Sequence, residues 1–142
     1  MEHVAIMKKS WGLIPKILSG EKTIESRWYQ TKRAPWGRIR RGDIIYFKNT
    51  GGPVVAKAMV RGVLQFEIGS ADEASKIVRT HGKQIGLIDA DLHAWKKAPK
   101  YCVLAFLECP EEIPEPFHIR KSGFVTGAAW LTMEDISAIR IV

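Results

Sequence analysis

Residues 20 to 28 read Gly20-Glu21-Lys22-Thr23-Ile24-Glu25-Ser26-Arg27-Trp28, and within them Lys22 to Arg27 set an ammonium, a carboxylate, a guanidinium and two hydroxyls around the single apolar side chain of Ile24. A strand that only serves a core alternates polar and apolar residues. This one is polar at nearly every position and is suited to bind, or react with, a polar ligand. Upstream, Leu13, Ile14, Ile17 and Leu18 recur at spacings of three and four, which predicts a helix over Trp11 to Ser19. Ser10 precedes it, Pro15 is tolerated only near its first turn, and Gly20 supplies the stop. The helix docks on a core and presents a strand predicted over Thr23 to Tyr29. On that strand Glu25 and Arg27 share a face. Lys22 falls on the opposite face unless a bulge or turn at Thr23 redirects it.

Further along, Gln30 to Arg41, with Pro35 and Gly37, reads as a loop. Ile44–Lys48 and Val54–Phe66 read as strands joined through Asn49-Thr50-Gly51-Gly52-Pro53, a hairpin connection. Alternation puts Val54, Ala56, Ala58, Val60 and Leu64 on the inward face. Val55, Lys57, Met59 and Arg61 fall on the other, so small side chains point inward, as tight barrels prefer. Ser70 and Glu73 form a capping box for a helix whose stripe is Ala74, Ile77 and Val78 and whose stop is Gly82. A second short helix is predicted over Asp89 to Ala98, with Leu92 and Trp95 inward. Tyr101 to Glu108 is a buried strand, Cys109 to Phe117 an irregular connection, Lys121 to Trp130 a loop, and Ile136 to Val142 a final strand. Short strands, one early helix, a helical insertion and returning strands describe an α+β fold, a small mixed β-barrel with flanking helices, in a single domain over residues 1–142.

Charge is uneven along the chain. Residues 1 to 61 hold 13 Lys or Arg against 4 Asp or Glu, and residues 62 to 142 hold 9 against 11, so the net +7 comes from the half that carries the motif. Such a field concentrates anionic partners, of which nucleic acid is the commonest for a small basic domain. Trp28, Tyr29 and Trp36 are interleaved with Lys32, Arg33, Arg38, Arg40 and Arg41. Stacking aromatics beside phosphate-neutralising cations are the chemistry of single-strand or nucleoside recognition. The tryptophans are also suited to cover a barrel end. Lys57 and Arg61 extend the positive face if the hairpin pairs as predicted.

The string Gly20-x-Lys22-x-x-Glu25-x-Arg27 resembles the Gly-x-Lys-x-x-Glu-x-Arg signature of ASCH domains, a PUA-like family, and matches it position for position. The resemblance implies a PUA-like barrel in which Lys22 lies in the cleft between barrel and helices. It also implies RNA or a modified nucleoside as partner, in a cleft around Lys22, Glu25 and Arg27; the residues' own chemistry adds Trp28, Trp36 and Arg38 at the ligand and Lys32, Arg33, Arg40, Arg41, Lys57 and Arg61 along nucleic acid. Members that hydrolyse N4-acetylcytidine assign the lysine to a catalytic group with a hydroxyl and a carboxylate. Lys22, Thr23 and Glu25 are the residues here that offer those groups. In those hydrolases the threonine stands three residues after the lysine, where this chain has Glu25, and their acid lies in the helical insertion, where this chain offers His81, Lys83 and Gln84. A binding module is therefore the leading expectation, with an amidohydrolase, then a ribonuclease, as alternatives. Truncating Lys22 is expected to leave the fold intact.

The remaining motifs are thinner. Lys121-Ser122-Gly123-Phe124 and Thr126-Gly127 offer backbone donors for a phosphate, with no Walker or dinucleotide fingerprint beside them. Asp89, Asp91 and His93 read better as capping and dipole partners of a helix start than as metal ligands. Cys102 and Cys109 are expected on opposite faces, so neither a disulfide nor a zinc site is expected, and no cofactor is. No apolar run approaches about 18 residues and no secretory leader is visible, so a cytoplasmic protein away from membranes is expected. Oligomeric state is left open.

Overall fold

Periodicity and turn chemistry account for most of the elements. The computed structural model describes residues 1–87, 95 and 97–141. Strand β1 (Glu2–Met7) leads through a 3-10 turn at Lys9–Trp11 into the short helix α1 (Leu13–Leu18). Strands β2 (Ile24–Tyr29), β3 (Ile44–Asn49) and β4 (Val54–Glu67) follow, then helix α2 (Ala71–Ile85), β5 (Tyr101–Phe117) and β6 (Trp130–Met133).

The strands form one sheet in the order β2-β5-β4-β3-β1-β6. β1 and β3 run parallel and the other pairings are antiparallel. β4 and β5 are long, and their register shifts after Val54, Lys57 and Val60. Each bulge bends the pair and strengthens its twist. The sheet curls until its two edges face each other: the Arg27 guanidinium on β2 donates to the Ile6 carbonyl of β1 at 3.4 Å and to the Ala129 carbonyl just before β6 at 3.2 Å. A seam is left between β2 and β6, spanned by side chains instead of a ladder.

Inside the curl lie Ala5, Met7, Ile45, Phe47, Ala56, Ala58, Val60, Val103 and Ala105, and α1 adds Ile14 and Ile17 to them. Full burial of a side chain such as Phe47 contributes about 1.5–3 kcal/mol, so this cluster, more than the seam, holds the sheet in its curl. Helix α2 covers the outer face of β2 and β5, packing Ala74, Ile77 and Ile85 on Ile24, Cys102 and Leu104. Ser70 caps it by accepting from the Glu73 amide at 3.3 Å, while Glu73 reaches back to the Gly69 amide at 2.6 Å. A third cluster, with Val4, Ile6, Leu131 and Phe117, lies across β1 and β6 from the interior.

The structure corrects five expectations. Ser10 lies within the 3-10 turn, and Gly12, in the left-handed region, precedes α1. Helix α2 runs past Gly82 to Ile85, and Gly86 ends it at φ 89°. Gly82 is needed for close approach instead, since a Cβ there would stand 2.6 Å from the Leu87 carbonyl oxygen. Cys109 to Phe117 continues β5, because Pro110, Pro114 and Pro116 fall at positions that pair with nothing across the ladder. The final strand is β6, and Ile136–Ala138 is a 3-10 turn started by Asp135, whose side chain accepts from the Ser137 amide. Leu64 is 42% exposed while Val63 packs inward, because the shift after Val60 reverses the alternation. The helix predicted over 89–98 falls mostly outside the described residues, as do Asp89, Asp91, Leu92 and His93. Among the described residues both cysteines are free, Cys102 buried and Cys109 exposed, and no helix is long and apolar enough to cross a membrane.

Candidate functional site

Glu25 and Arg27 pair across the ladder with Ala105 and Val103, so their side chains rise from the inner face of β2. Lys22 precedes the strand, where the chain is tied by the Lys22 amide to the Lys16 carbonyl at 2.9 Å and by the Thr23 amide to the Gln84 carbonyl at 3.0 Å. Those ties replace the alternation that would have turned Lys22 away. Its Nζ comes within 4.0 Å of Glu25 Oε2, and Glu25 Oε1 lies 3.5 Å from Arg27 Nε. Lys22, Glu25 and Arg27 therefore form one line of charges.

The line is buried. Lys22 is 3% exposed and Glu25 5%. The Lys22 ammonium donates to the Ile24 carbonyl at 2.7 Å and to the carbonyl of Ile85, the last residue of α2. A cation on the final carbonyls of a helix satisfies groups that the helix cannot and complements its dipole. Lys22 thus lies between barrel and helix, closed over and bonded, where a polar cleft open to ligand was expected. Burial lowers its pKa from the usual lysine value; the Glu25 charge opposes this, and Arg27 and Lys16 add to it. Thr23 contributes backbone bonds only: among the described residues its hydroxyl makes no hydrogen bond to Lys22 or Glu25.

Two polar atoms in this line, Glu25 Oε2 and Arg27 Nε, are buried without a hydrogen-bond partner among the described residues. Such atoms are costly, by roughly 1–3 kcal/mol each, and are usually met by water or a ligand. Glu25 Oε2 faces Lys22 and Arg27 Nε faces Glu25 Oε1, so the line offers one acceptor and one donor on neighbouring inward residues, the chemistry that meets a group with a donor and an acceptor of its own, as nucleobase edges and amides have.

Arg27 also stacks on Trp130, 5.1 Å from the ring centroid, and Trp130 Nε1 donates to His3 Nδ1 at 3.1 Å. That bond leaves the proton on His3 Nε2, which donates to Asp43 Oδ2 at 2.8 Å. Burial lowers the His3 pKa in spite of Asp43. Burial would raise Asp43, but hydrogen bonds from His3 and the Arg40 amide more than reverse it and hold the carboxyl below its usual value. A polar chain thus crosses the barrel interior from Lys22 to Asp43.

The other candidates lie apart from this line. Trp28 faces outward, donates to the Ser26 hydroxyl at 3.0 Å and packs on Trp95. Trp36 packs against the inner core and meets Tyr101 edge to face at 5.1 Å, with the Lys32 ammonium near both rings. Arg33 lies over Tyr29, next in the inward row after Glu25 and Arg27. Arg38 and Arg40 line a surface depression of about 380 Å³ with Gly37, Asp43 and Thr132, and Arg41 is exposed. Lys32 pairs with Glu67 at 3.6 Å and Lys57 with Glu111 at 3.7 Å. Arg61 lies over Phe106 on the outer face, away from the seam. No group of three or more potential metal ligands occurs among the described residues. Sequence reasoning passed over Trp130 and the His3–Asp43 pair, whose roles arise from contacts more than 40 residues apart in the case of Trp130 and His3. Tyr29, read from the sequence as a stacking aromatic, falls two residues beyond Arg27 on the same inward face.

No family model matches the chain, and no curated protein matches it. Solved structures do. The crystal structure of a tyrosine-to-phenylalanine mutant of the ASCH protein from Zymomonas mobilis superposes over 96% of this chain and 93% of its own, with a TM-score of 0.64 at 15% identity. A serine-to-alanine mutant of the same protein gives 0.62 at 15% identity, over 96% and 91%. A further crystal structure of ASCH from Zymomonas mobilis gives 0.54 at 17% identity, over 82% and 70%. At such identities the likeness is one of fold alone. Over nearly its whole length, this chain has the fold of an ASCH protein.

Proposed function

We propose that the chain is an RNA- or modified-nucleoside-binding protein that takes a base at the seam between β2 and β6. The observation that carries this reading is that two buried atoms, Glu25 Oε2 and Arg27 Nε, have no hydrogen bond among the described residues. A base edge supplies the donor and the acceptor that they lack. Lys22 acts as a positioning residue: its ammonium faces the Glu25 carboxylate at 4.0 Å and ties β2 to the end of α2. Trp36, Tyr101 and Tyr29 offer aromatic surface near the same end, and Lys32, Arg33, Arg38, Arg40 and Arg41 supply phosphate contacts along a strand.

An amidohydrolase acting on N4-acetylcytidine is the second reading, favoured by the buried, pKa-lowered Lys22 beside a carboxylate. The Thr23 hydroxyl stands outside that pair, so we expect cytidine release to be weak or absent. A ribonuclease built on Lys22, Arg27 and Arg38 is less favoured, since Arg38 lies with Asp43 and Thr132 instead of with Lys22.

Fluorescence anisotropy with a labelled single-stranded RNA at two salt concentrations tests the binding reading, and chromatography of N4-acetylcytidine incubations tests the second. Salt-dependent RNA affinity that falls in Glu25→Gln, with no cytidine released, is expected. No affinity for RNA or nucleoside at low salt would sink the binding reading, and release at an enzymatic rate would replace it with the hydrolase.

A further inference from the structure

Lys48 belongs to the basic half and takes no part in the site described so far. It is 8% exposed on β3, on the face opposite Phe47 and the inner core. Among the described residues it has neither an ion pair nor a side-chain hydrogen bond, although every other buried charged residue has a carboxylate or ammonium partner. Its neighbour across the parallel ladder is Ile6. The Ile6 amide donates to the Ala129 carbonyl at 2.9 Å, and the Ile6 and Ala129 carbonyls are the two that receive Arg27. The adjacent Ala128 carbonyl receives the Lys121 ammonium at 3.1 Å. Lys48 and Lys121 therefore both lie beside the backbone where β1 meets residues 128 and 129, with Lys48 on the outer face and Arg27 reaching the same carbonyls from the inner one. The loop that brings Lys121 there is folded by two turns, Phe124 amide to Lys121 carbonyl and Ala128 amide to Val125 carbonyl.

Two lysines without a carboxylate between them are unfavourable in isolation and become favourable once an anion sits between them. Burial lowers the Lys48 pKa and the Lys121 charge lowers it further, so an anion between the two would favour the charged form of both. We propose that Lys48 and Lys121 form a phosphate subsite at the end of the seam, so that the ligand is a nucleotide or a nucleic-acid strand and not a free nucleoside. The subsite rests on the geometry of the two lysines, while the identity of its ligand rests on the base-binding reading of the seam.

The test is calorimetric titration and thermal melting with inorganic phosphate, cytidine and cytidine 5′-monophosphate, on the wild type and on Lys48→Met and Lys121→Ala. Methionine retains the buried stem and removes a charge that has no partner, so Lys48→Met is expected to melt no lower than the wild type. Phosphate and the nucleotide should bind the wild type and raise its melting temperature. Each substitution should weaken both by roughly tenfold or more and leave cytidine unaffected. Wild type that does not bind phosphate, or variants that bind it as well as wild type, would overturn the subsite even if cytidine or RNA still binds. Phosphate binding that depends on both lysines, with neither cytidine nor RNA bound, would uphold the subsite and sink the base-binding seam.

Discussion

Replacing Lys22 by methionine separates a structural from a purely ligand-contacting lysine. The substitution keeps the stem but removes an ammonium that is 3% exposed, that satisfies the Ile24 and Ile85 carbonyls and that stands 4.0 Å from Glu25. Removing one partner of a buried pair costs about 3–5 kcal/mol, because the other charge stays buried and uncompensated. Arg27, 3.5 Å from Glu25, retains part of the compensation, which places the expected loss near the lower end, about 3 kcal/mol. With a urea m-value of about 1.5 kcal/mol/M, the unfolding midpoint should fall by roughly 2 M. The double variant Lys22→Met/Glu25→Gln should recover part of that loss, since it removes both charges. A midpoint in Lys22→Met within about 0.5 kcal/mol of the wild type, at an m-value of that order, would refute the buried-pair reasoning and restore the expectation that this lysine is dispensable to the fold.

Other consequences are open to equally plain measurement. Because burial holds the His3 pKa below its ordinary 6.5, the unfolded chain binds more protons in the window beneath that value, so stability present above pH 6.5 should decline as pH falls through it; His3→Gln should flatten that part of a urea-midpoint profile, and an unchanged slope would assign the acid sensitivity elsewhere. Gly82→Ala should destabilise by about 1–3 kcal/mol through overpacking against the Leu87 carbonyl, read as a lowered melting temperature, and a neutral result would mean that the turn after α2 yields freely. The combined change of Lys32, Arg33, Arg40 and Arg41 to alanine should weaken single-stranded RNA binding and reduce the slope of log affinity against log salt; affinity equal to wild type at both salts would remove the basic loop from the interface.

Much of the fold was legible because local rules and tertiary demands agree. The stripe of α1, the hairpin at residues 49–53, the capping box at Ser70 and the inward alanines of β4 all follow from period and turn chemistry, and each is present. What was misread is non-local. The continuation of β5 through three prolines depends on β4 being long enough to pair between them, and the reversal at Leu64 depends on a bulge that no alternation signals. At the site, the shared face of Glu25 and Arg27 was legible from the period of two. The convergence of Lys22 was not, because it depends on backbone bonds to residues of α1 and α2. The same holds for Trp130, which meets Arg27 only because the sheet curls, and for Lys48 and Lys121, joined by pairing across β1 and a distant loop.

The central claim is that a base occupies the seam at Glu25 and Arg27, and the most direct measurement is the NMR signal of the Arg27 side-chain Nε–H in arginine-labelled protein titrated with single-stranded RNA. That group is buried and, among the described residues, makes no hydrogen bond, its nearest carboxylate oxygen being Glu25 Oε1 at 3.5 Å. On binding it should move downfield and become protected from solvent exchange as it acquires an acceptor, and Glu25→Gln should diminish the change. RNA that binds, as judged by anisotropy, while the Arg27 Nε–H signal stays where it was in the free protein would contradict the account and move the interface away from the seam.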